Sequence, residues 1–376
     1  MSMTIESIGL VAGALVAALL VALITTPIVK NLAQKWGAVD VPKDGRRMHD
    51  HPIPRMGGLA IFLGFLLSVI LFLPFLSGDG ISLQIRGMLL GAVIIVVLGI
   101  LDDIYALPAL PKLIVQIVAA VIAVGSGNLV TVISNPNVFS SELYWELGWL
   151  SYPVTVVWIV GVTNAVNLID GLDGLACGVS TISSMTMLVI ALAMAEPEVA
   201  VLMAALAGAC LGFLPYNMNP AKIFMGDTGS TFLGYVLGVV SIQGLFKYYM
   251  LISFVVPFLL LGLPIFDTCF AFIRRIAHGQ SPMHADRSHI HHRLIDMGLS
   301  QKQAVAVLYI ISAILGLSAV VLTTLSPVRA MLLLFALCVT GGVSVRIFLH
   351  NNSGQNHHDQ PAKPAENDEN KGDKES

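Results

Sequence analysis

Stretches of about twenty apolar residues recur along nearly the whole chain, and they leave few folds open. The first covers residues 8–29, and others follow near 57–76, 83–101, 113–130, 150–169, 175–194, 199–216, 230–246, 249–272, 304–325 and 328–349. Each is close to the ~20 residues that cross ~30 Å of hydrocarbon as a helix, whereas a closed barrel needs ~10-residue alternating segments, which the sequence lacks. Composition agrees: 56% of the residues are hydrophobic and 11% charged, too few charges to cover a water-facing surface. The expected fold is all-α, a polytopic membrane protein with about eleven transmembrane helices in a single integral domain over residues 1–350. Glu6 precedes the first run and Lys30 follows it, the reverse of a cleavable signal's charge order, so this run is read as a retained helix. The segment 351–376 has no apolar residue able to anchor a core and is expected to be a disordered cytoplasmic tail.

Basic residues set the expected orientation. One set of alternate loops holds fourteen of them, including Lys30, Arg46, Arg47, Arg55, Lys112, Lys222, Arg274, Arg275, Arg287 and Arg293; the other holds Arg86, Lys247 and Arg329. Under the positive-inside rule the rich set is cytoplasmic, with the N-terminus outside and the C-terminus inside a cell membrane. The net charge of −3 carries no basic excess, so nothing points to nucleic acid. Four scattered cysteines form no CxxC pair, which leaves neither a disulfide framework nor a zinc cluster. On the outer side, the connection 131–149 reads as an interfacial stretch, with Phe139, Tyr144, Trp145 and Trp149; Glu142 and Glu146 suit a solvated turn there.

The acids of the body are few, and in this orientation they gather at cytoplasmic helix ends: Asp102 and Asp103, Asp170 and Asp173, Asp227, and Asp267. Carboxylates near hydrocarbon must be hydrated, paired or metal-bound, so a common polar cleft is expected. Asp102 and Asp103 repel each other and make a divalent cation a natural partner; a solvated helix end is the alternative. Asn164, Asn167 and Asp170, three apart, would form a polar stripe extended by Asp173, able to bind a base or a sugar; an interhelical hydrogen-bond seam is the other use of such asparagines. In FMGDTGS, Thr228, Gly229 and Ser230 would expose backbone N–H groups to phosphate at a helix start, beside the carboxylate of Asp227; a simple cap by Asp227 is the plainer alternative. His289, His291 and His292 with Arg287 and Arg293 suit phosphate recognition better than zinc, and structural roles remain open. In RRMHDHPIPRMGG, Arg46, Arg47, His49 and Arg55 lie in a proline-stiffened loop; ordinary membrane flanking explains the charges but less well the proline–glycine context.

Such an inventory suits phosphoryl transfer between a soluble phosphate donor and a lipid acceptor at the interface. A transporter would place its charges near the midplane in paired repeats, and a scaffold would not need three acidic motifs. LDDIYAL followed by Lys112, NAVNLIDGLDGL, FMGDTGS and the late histidine segment, in this order, resemble the polyprenyl-phosphate N-acetylhexosamine-1-phosphate transferases. The resemblance implies ten or eleven transmembrane helices and a cytoplasm-facing site. It implies transfer of a sugar 1-phosphate from a UDP-sugar to a polyprenyl phosphate, with Mg²⁺ (or Mn²⁺) and release of UMP. HPIPRMGG and the interrupted SHIHHRL are similar to the branch that uses UDP-N-acetylglucosamine and undecaprenyl phosphate to prime teichoic acid or other surface glycans. The alternative branch uses UDP-N-acetylmuramoyl-pentapeptide and usually shows three consecutive histidines.

By resemblance, Asp227 is a direct Mg²⁺ ligand, and Asp102 orients or deprotonates the lipid phosphate while Asp103 assists it or the metal. Asp170 and Asp173 then bind the nucleotide, with Asn164 and Asn167 beside them, and Phe224 stacks on uracil. Lys112, Arg55, Arg287, His289, His291 and His292 hold phosphate charge. A phosphate monoester is already mostly dianionic at neutral pH, so positioning is expected to matter more than a strong base, and an aspartyl-phosphate intermediate stays open. The sequence is compatible with a homodimer without requiring one.

Overall fold

Helix α1 (Ile5–Trp36) begins at Thr4, whose Oγ1 accepts from the Ser7 N–H at 3.2 Å, and ends at Gly37 in the left-handed conformation. It buries Ala14, Ala18, Ala22 and Ala33 on one face and presents Ile8, Leu20, Ile24 and Ile28 on the other. A helix that hides its alanines and displays its isoleucines is suited to lipid, where large apolar side chains lose nothing by facing outwards and small ones let backbones approach. Its small face meets α7 (Pro197–Asn217). There Gly208 and Gly212 lie so close that a Cβ on either would overlap the Leu15 or Leu19 carbonyl oxygen.

This computed structural model describes residues 4–42, 51–76, 80–135, 144–243, 255–277 and 289–324. Between α1 and α7 run α2 (Gly58–Phe72), α3 (Leu83–Tyr105), α4 (Ala109–Gly125), α5 (Ser151–Leu168) and α6 (Leu175–Met194). After α7 come α8 (Gly226–Ser241), α9 (Val255–Leu260), α10 (Gly262–Ala277), α11 (Ile290–Asp296) and α12 (Gln301–Thr324). Two short antiparallel pairs complete the described elements. β1 (Val39–Asp40) pairs with β2 (Ile53–Pro54), and β3 (Val132–Ser134) pairs with β4 (Tyr144–Glu146).

The fold is all-α and polytopic, as the apolar runs imply. Among the described residues seven helices are long and apolar enough to cross a membrane: α1, α2 with its short extension to Phe75, α3, α5 with the preceding turn, α6, α7 and α12. The runs expected at 113–130 and 230–246 correspond to the shorter α4 and α8. The run expected at 249–272 is interrupted within its described part, α9 giving way to α10 at Leu261. The run at 328–349 and the tail 351–376 lie outside the described residues.

Helix α8 is the axis of the assembly. Helices α2, α3, α5 and α6 pack on it, and residues 228–241 are all buried. A helix that is apolar all round belongs inside a bundle rather than against lipid. Its first turn is the exception, and that turn carries the chemistry.

Candidate active site

The glycine-rich end of the first loop and the FMGDTGS segment are joined through their backbones. Phe224 N–H donates to the Pro54 carbonyl at 2.8 Å, Gly57 N–H to the Phe224 carbonyl at 2.9 Å, and Gly58 N–H to the Met225 carbonyl at 2.9 Å. A Cβ on Gly58 would overlap the Gly229 backbone, and one on Gly99 would overlap Thr228, so α2 and α3 close directly onto the start of α8. Three sequence motifs far apart in the chain thus meet at one point.

At that point Lys112 stands between two carboxylates. Its Nζ donates to Asp102 Oδ2 at 3.0 Å and to Asp227 Oδ2 at 3.1 Å. Asp102 Oδ1 accepts from the Leu107 N–H at 2.7 Å, which orients it away from solvent. Asp227 Oδ1 accepts from Asn167 Nδ2 at 3.1 Å, and the same amide reaches Ser230 Oγ at 2.8 Å. Asp227 keeps 30% of its side chain exposed, against 9% for Asp102 and 2% for Asp103, so it is the most open carboxylate of the three.

Asp103 departs from the sequence expectation. Its oxygens accept from the Asp227 N–H (3.0 Å), the Thr228 N–H (3.1 Å) and Thr228 Oγ1 (2.6 Å). The helix starts at Gly226 rather than near Thr231, and Asp103 occupies the place at its start where a phosphate was expected. The reason is local: an interior helix end must satisfy its N–H groups within the protein, and a carboxylate from α3 does so. Gly226, at φ 71°, makes room, since a Cβ there would overlap the Asp103 carboxylate. Asp103 therefore caps α8 and has little left for a cation. Arg55 steadies it, donating from Nε (3.1 Å) and from one terminal nitrogen (3.0 Å) to the Asp103 carbonyl, with Nε 3.7 Å from Oδ1.

A recess of about 410 Å³ is lined by Asp227, Asp103, Asn167, Arg55 and Phe224, and by Asp40, Asp170, Asp173, Asn217, His292 and Gln301. Burial, reinforced by the negative charges of Asp227, Asp103 and Asp173, pushes the Asp170 carboxyl up to about 8. Asp173 Oδ2 accepts from Asn219 Nδ2 and from the Ala221 N–H, both at 3.0 Å, and Asn219 Nδ2 also donates to Gln301 Oε1 at 2.7 Å. The asparagines of YNMNPAK, just ahead of FMGDTGS, were a legible cue for this wall; nothing in the sequence marked Gln301, which arrives from the first turn of α12.

Asp102 and Lys112 adjoin the recess through Asp227 without lining it, and three further expected members, Asn164, His289 and His291, do not line it. Asn164 Nδ2 donates to Gln116 Oε1 at 2.7 Å and to the Val160 carbonyl at 2.8 Å, which is the interhelical seam between α5 and α4. His289 and His291 are buried, at 6% and 3% exposure, while His292 lines the recess. Burial, with His292 and His289 alongside, pushes the His291 imidazole down to about 4, so it is neutral at pH 7 and packs rather than holds phosphate charge. Arg287, Arg46, Arg47, His49 and Glu142 lie outside the described residues.

Mg²⁺ characteristically takes one or two carboxylates together with water and substrate phosphates, not an all-protein cage. Among the described residues no three His, Cys, Asp or Glu side chains converge on one ion position. Asp227, with 30% of its side chain exposed at a polar recess, fits such an ion.

The model of glycosyl transferase family 4 matches residues 85–245, which include the Asp102, Asp170 and Asp227 motifs. A probable undecaprenyl-phosphate N-acetylglucosaminyl 1-phosphate transferase of Bacillus subtilis (strain 168) is 47% identical over 326 residues, spanning 87% of this chain and 88% of that protein. The chain belongs to glycosyl transferase family 4. A decaprenyl-phosphate N-acetylglucosaminephosphotransferase of Mycolicibacterium smegmatis is 35% identical, covering 77% of each chain. A phospho-N-acetylmuramoyl-pentapeptide-transferase of Halalkalibacterium halodurans is 37% identical, over 58% of this chain and 68% of its own. Family 4 membership and the helical bundle agree that this is a multi-pass membrane transferase. The match to the muramoyl-pentapeptide transferase covers less of this chain, 58%, than the 87% and 77% covered by the two N-acetylglucosaminyl relatives.

Proposed function

We propose that this protein transfers N-acetylglucosamine 1-phosphate from UDP-N-acetylglucosamine to undecaprenyl phosphate in the cell membrane, from a recess open to the cytoplasm. The products are UMP and a lipid-linked primer for teichoic acid or another surface glycan. The observation that supports this reading is one recess lined by Asp227, Asp170 and Asp173, with Lys112 linking Asp227 to Asp102 behind it, in a chain 47% identical to a probable undecaprenyl-phosphate N-acetylglucosaminyl 1-phosphate transferase of Bacillus subtilis.

The chemistry joins an oxygen of the acceptor phosphate to the β-phosphorus of the donor and breaks the bond from that phosphorus to the oxygen bridging it to the α-phosphate, which leaves with UMP. The acceptor is mostly dianionic at neutral pH, so its attack needs positioning and charge neutralisation more than a base. Lys112 supplies a fixed positive charge where both phosphates must approach, and Asp102, held by Lys112 and the Leu107 N–H, keeps that charge in place. Asn167 orients Asp227 toward the recess. Asp227 would hold Mg²⁺, which when bound would neutralise charge on the donor pyrophosphate. Phe224, Asp173 and Asn217 offer a flat ring and hydrogen-bonding groups for the nucleotide end, and Arg55 and His292 face the phosphates.

Purified protein in lipid nanodiscs with undecaprenyl phosphate and Mg²⁺ should release UMP from UDP-N-acetylglucosamine and not from UDP-N-acetylmuramoyl-pentapeptide. The Asp227→Asn variant should lose at least ~100-fold in turnover while still inserting, as removal of one preorganised electrostatic group does elsewhere. Release of UMP from the muramoyl donor alone would overturn the reading of the sugar, and full activity of Asp227→Asn that of the site.

A further inference from the structure

Asp267 has no place in the chemistry described so far, yet it is a carboxylate buried to 4% exposure on the second half of the broken helix. Both its oxygens are committed to the start of α11. Oδ2 lies 2.9 Å from His289 Nδ1, and Oδ1 accepts from the Ile290 N–H at 2.9 Å. A buried carboxylate is costly unless hydrogen-bonded, so one that faces two N–H groups of the same short segment fixes that segment strongly. The pair also leaves His289 a single arrangement, with Nδ1 carrying the proton toward the carboxylate.

The contacts continue from there to the recess. The His289 ring stacks on His291, with centroids 5.7 Å apart and planes 7° from parallel, and His291 lies 4.3 Å from His292 by centroid. His291 presses on Gly171, where a Cβ would overlap the imidazole; Gly171 lies between Asp170 and Asp173 in the wall of the recess. His292 lines the recess itself.

We propose that Asp267 is a positioning residue for the transfer reaction: by gripping His289 and Ile290 it sets α11 so that His291 supports the Gly171 turn and His292 faces the donor phosphates. This rests on the proposed transferase reading of the recess. Asp267 touches no substrate, and its effect passes through His292 and the Gly171 turn.

The test is a double-mutant cycle on the full chain in nanodiscs, with Asp267→Ala, His292→Ala and their combination, read as KM for UDP-N-acetylglucosamine, KM for undecaprenyl phosphate and kcat. Asp267→Ala should raise the donor KM about tenfold and leave the acceptor KM within twofold, and the double variant should be no worse than the more impaired single variant. Asp267→Asn keeps an acceptor for the Ile290 N–H and can donate to the other tautomer of His289, so it should recover most of the loss. Multiplicative losses in the double variant, or an Asp267→Ala enzyme within twofold of wild type, would overturn the proposal. Hydrogen exchange gives an arm that needs no turnover: amides of residues 290–296 should exchange at least tenfold faster in Asp267→Ala than in the wild type or Asp267→Asn, with α8 unchanged. Unchanged exchange in α11 would overturn the positioning role even if the wild-type chain proved to use another sugar, whereas a wild-type chain that releases no UMP would count against the transferase reading alone.

Discussion

Lys112 and Asp103 show how two side chains with similar sequence cues divide between chemistry and architecture. Lys112 joins Asp102 to Asp227, which lies 115 residues beyond the lysine, and keeps 27% of its side chain exposed. Asp103, adjacent to Asp102, is taken up instead by the N–H groups at the start of α8. Asp170 is a third case, a carboxyl at the recess wall whose charged neighbours among the described residues are the acids Asp227, Asp103 and Asp173. Its native value of about 8 lies above the ordinary 3.8, so the folded protein holds one more proton than the unfolded chain between those values. Its contribution to stability is complete below the unfolded value and is lost as pH rises through about 8. His291, pushed down to about 4, acts in the opposite sense and only at lower pH, since its ordinary value is 6.5. The unfolding midpoint of the ligand-free protein should therefore fall between pH ~6.5 and ~8.5, and Asp170→Asn should flatten that slope. An equal slope in the variant would show that Asp170 is ionised in the free recess.

Helix ends at the site explain what the sequence made legible and what it hid. Hydropathy places α5, α6, α7 and α12 to within a few residues, because their ends coincide with the end of apolar character. It starts α8 several residues late and stops α3 too early, near 101, because their turns at the recess are helical and polar together. Polar side chains there face protein partners, so the boundary between apolar and polar residues is no longer the boundary of the helix. The gathering of Asp102, Asp170, Asp173 and Asp227 was readable from their common position at span ends. Asp103 as a cap and Asp267 as the partner of His289 were not, since each depends on a contact across more than twenty residues. The glycines at these crossings are the element-scale requirement. Gly99→Ala would drive a Cβ into Thr228 and force α3 away from α8, shifting Asp102 and Asp103 together. We expect at least a tenfold loss of turnover with a lower unfolding midpoint, because overpacking of this kind costs about 1–3 kcal/mol. Gly9→Ala on α1, where a Cβ meets nothing within 4 Å, should be neutral or slightly stabilising. Equal behaviour of the two variants in a thermal-shift assay would remove the argument for a tight crossing.

At the scale of the whole molecule, one recess fixes the relative direction of several helices. The ends of α3, α5 and α7 and the starts of α6 and α8 all contribute to it or adjoin it. Helix α3 has 23 residues, or about 34 Å at 1.5 Å per residue, so Leu83 lies roughly a bilayer's hydrocarbon thickness from Tyr105. Trp149, at the start of α5, must lie on the same far side as Leu83, because α5 ends beside Asn167 and Asp170. Orientation then reduces to one choice, and the proposal that the recess faces the cytoplasm rests on the excess of basic residues in the loops on that side. Tyr105 and Trp149 are 69% and 76% exposed and can report on it. With the exposed Cys269 first replaced by serine, a cysteine at position 149 should react with a membrane-impermeant maleimide in intact cells. One at position 105 should react only after the membrane is opened. The reverse pattern would put the recess outside, away from cytoplasmic nucleotide sugars, and would end the transferase reading however well the side chains fit.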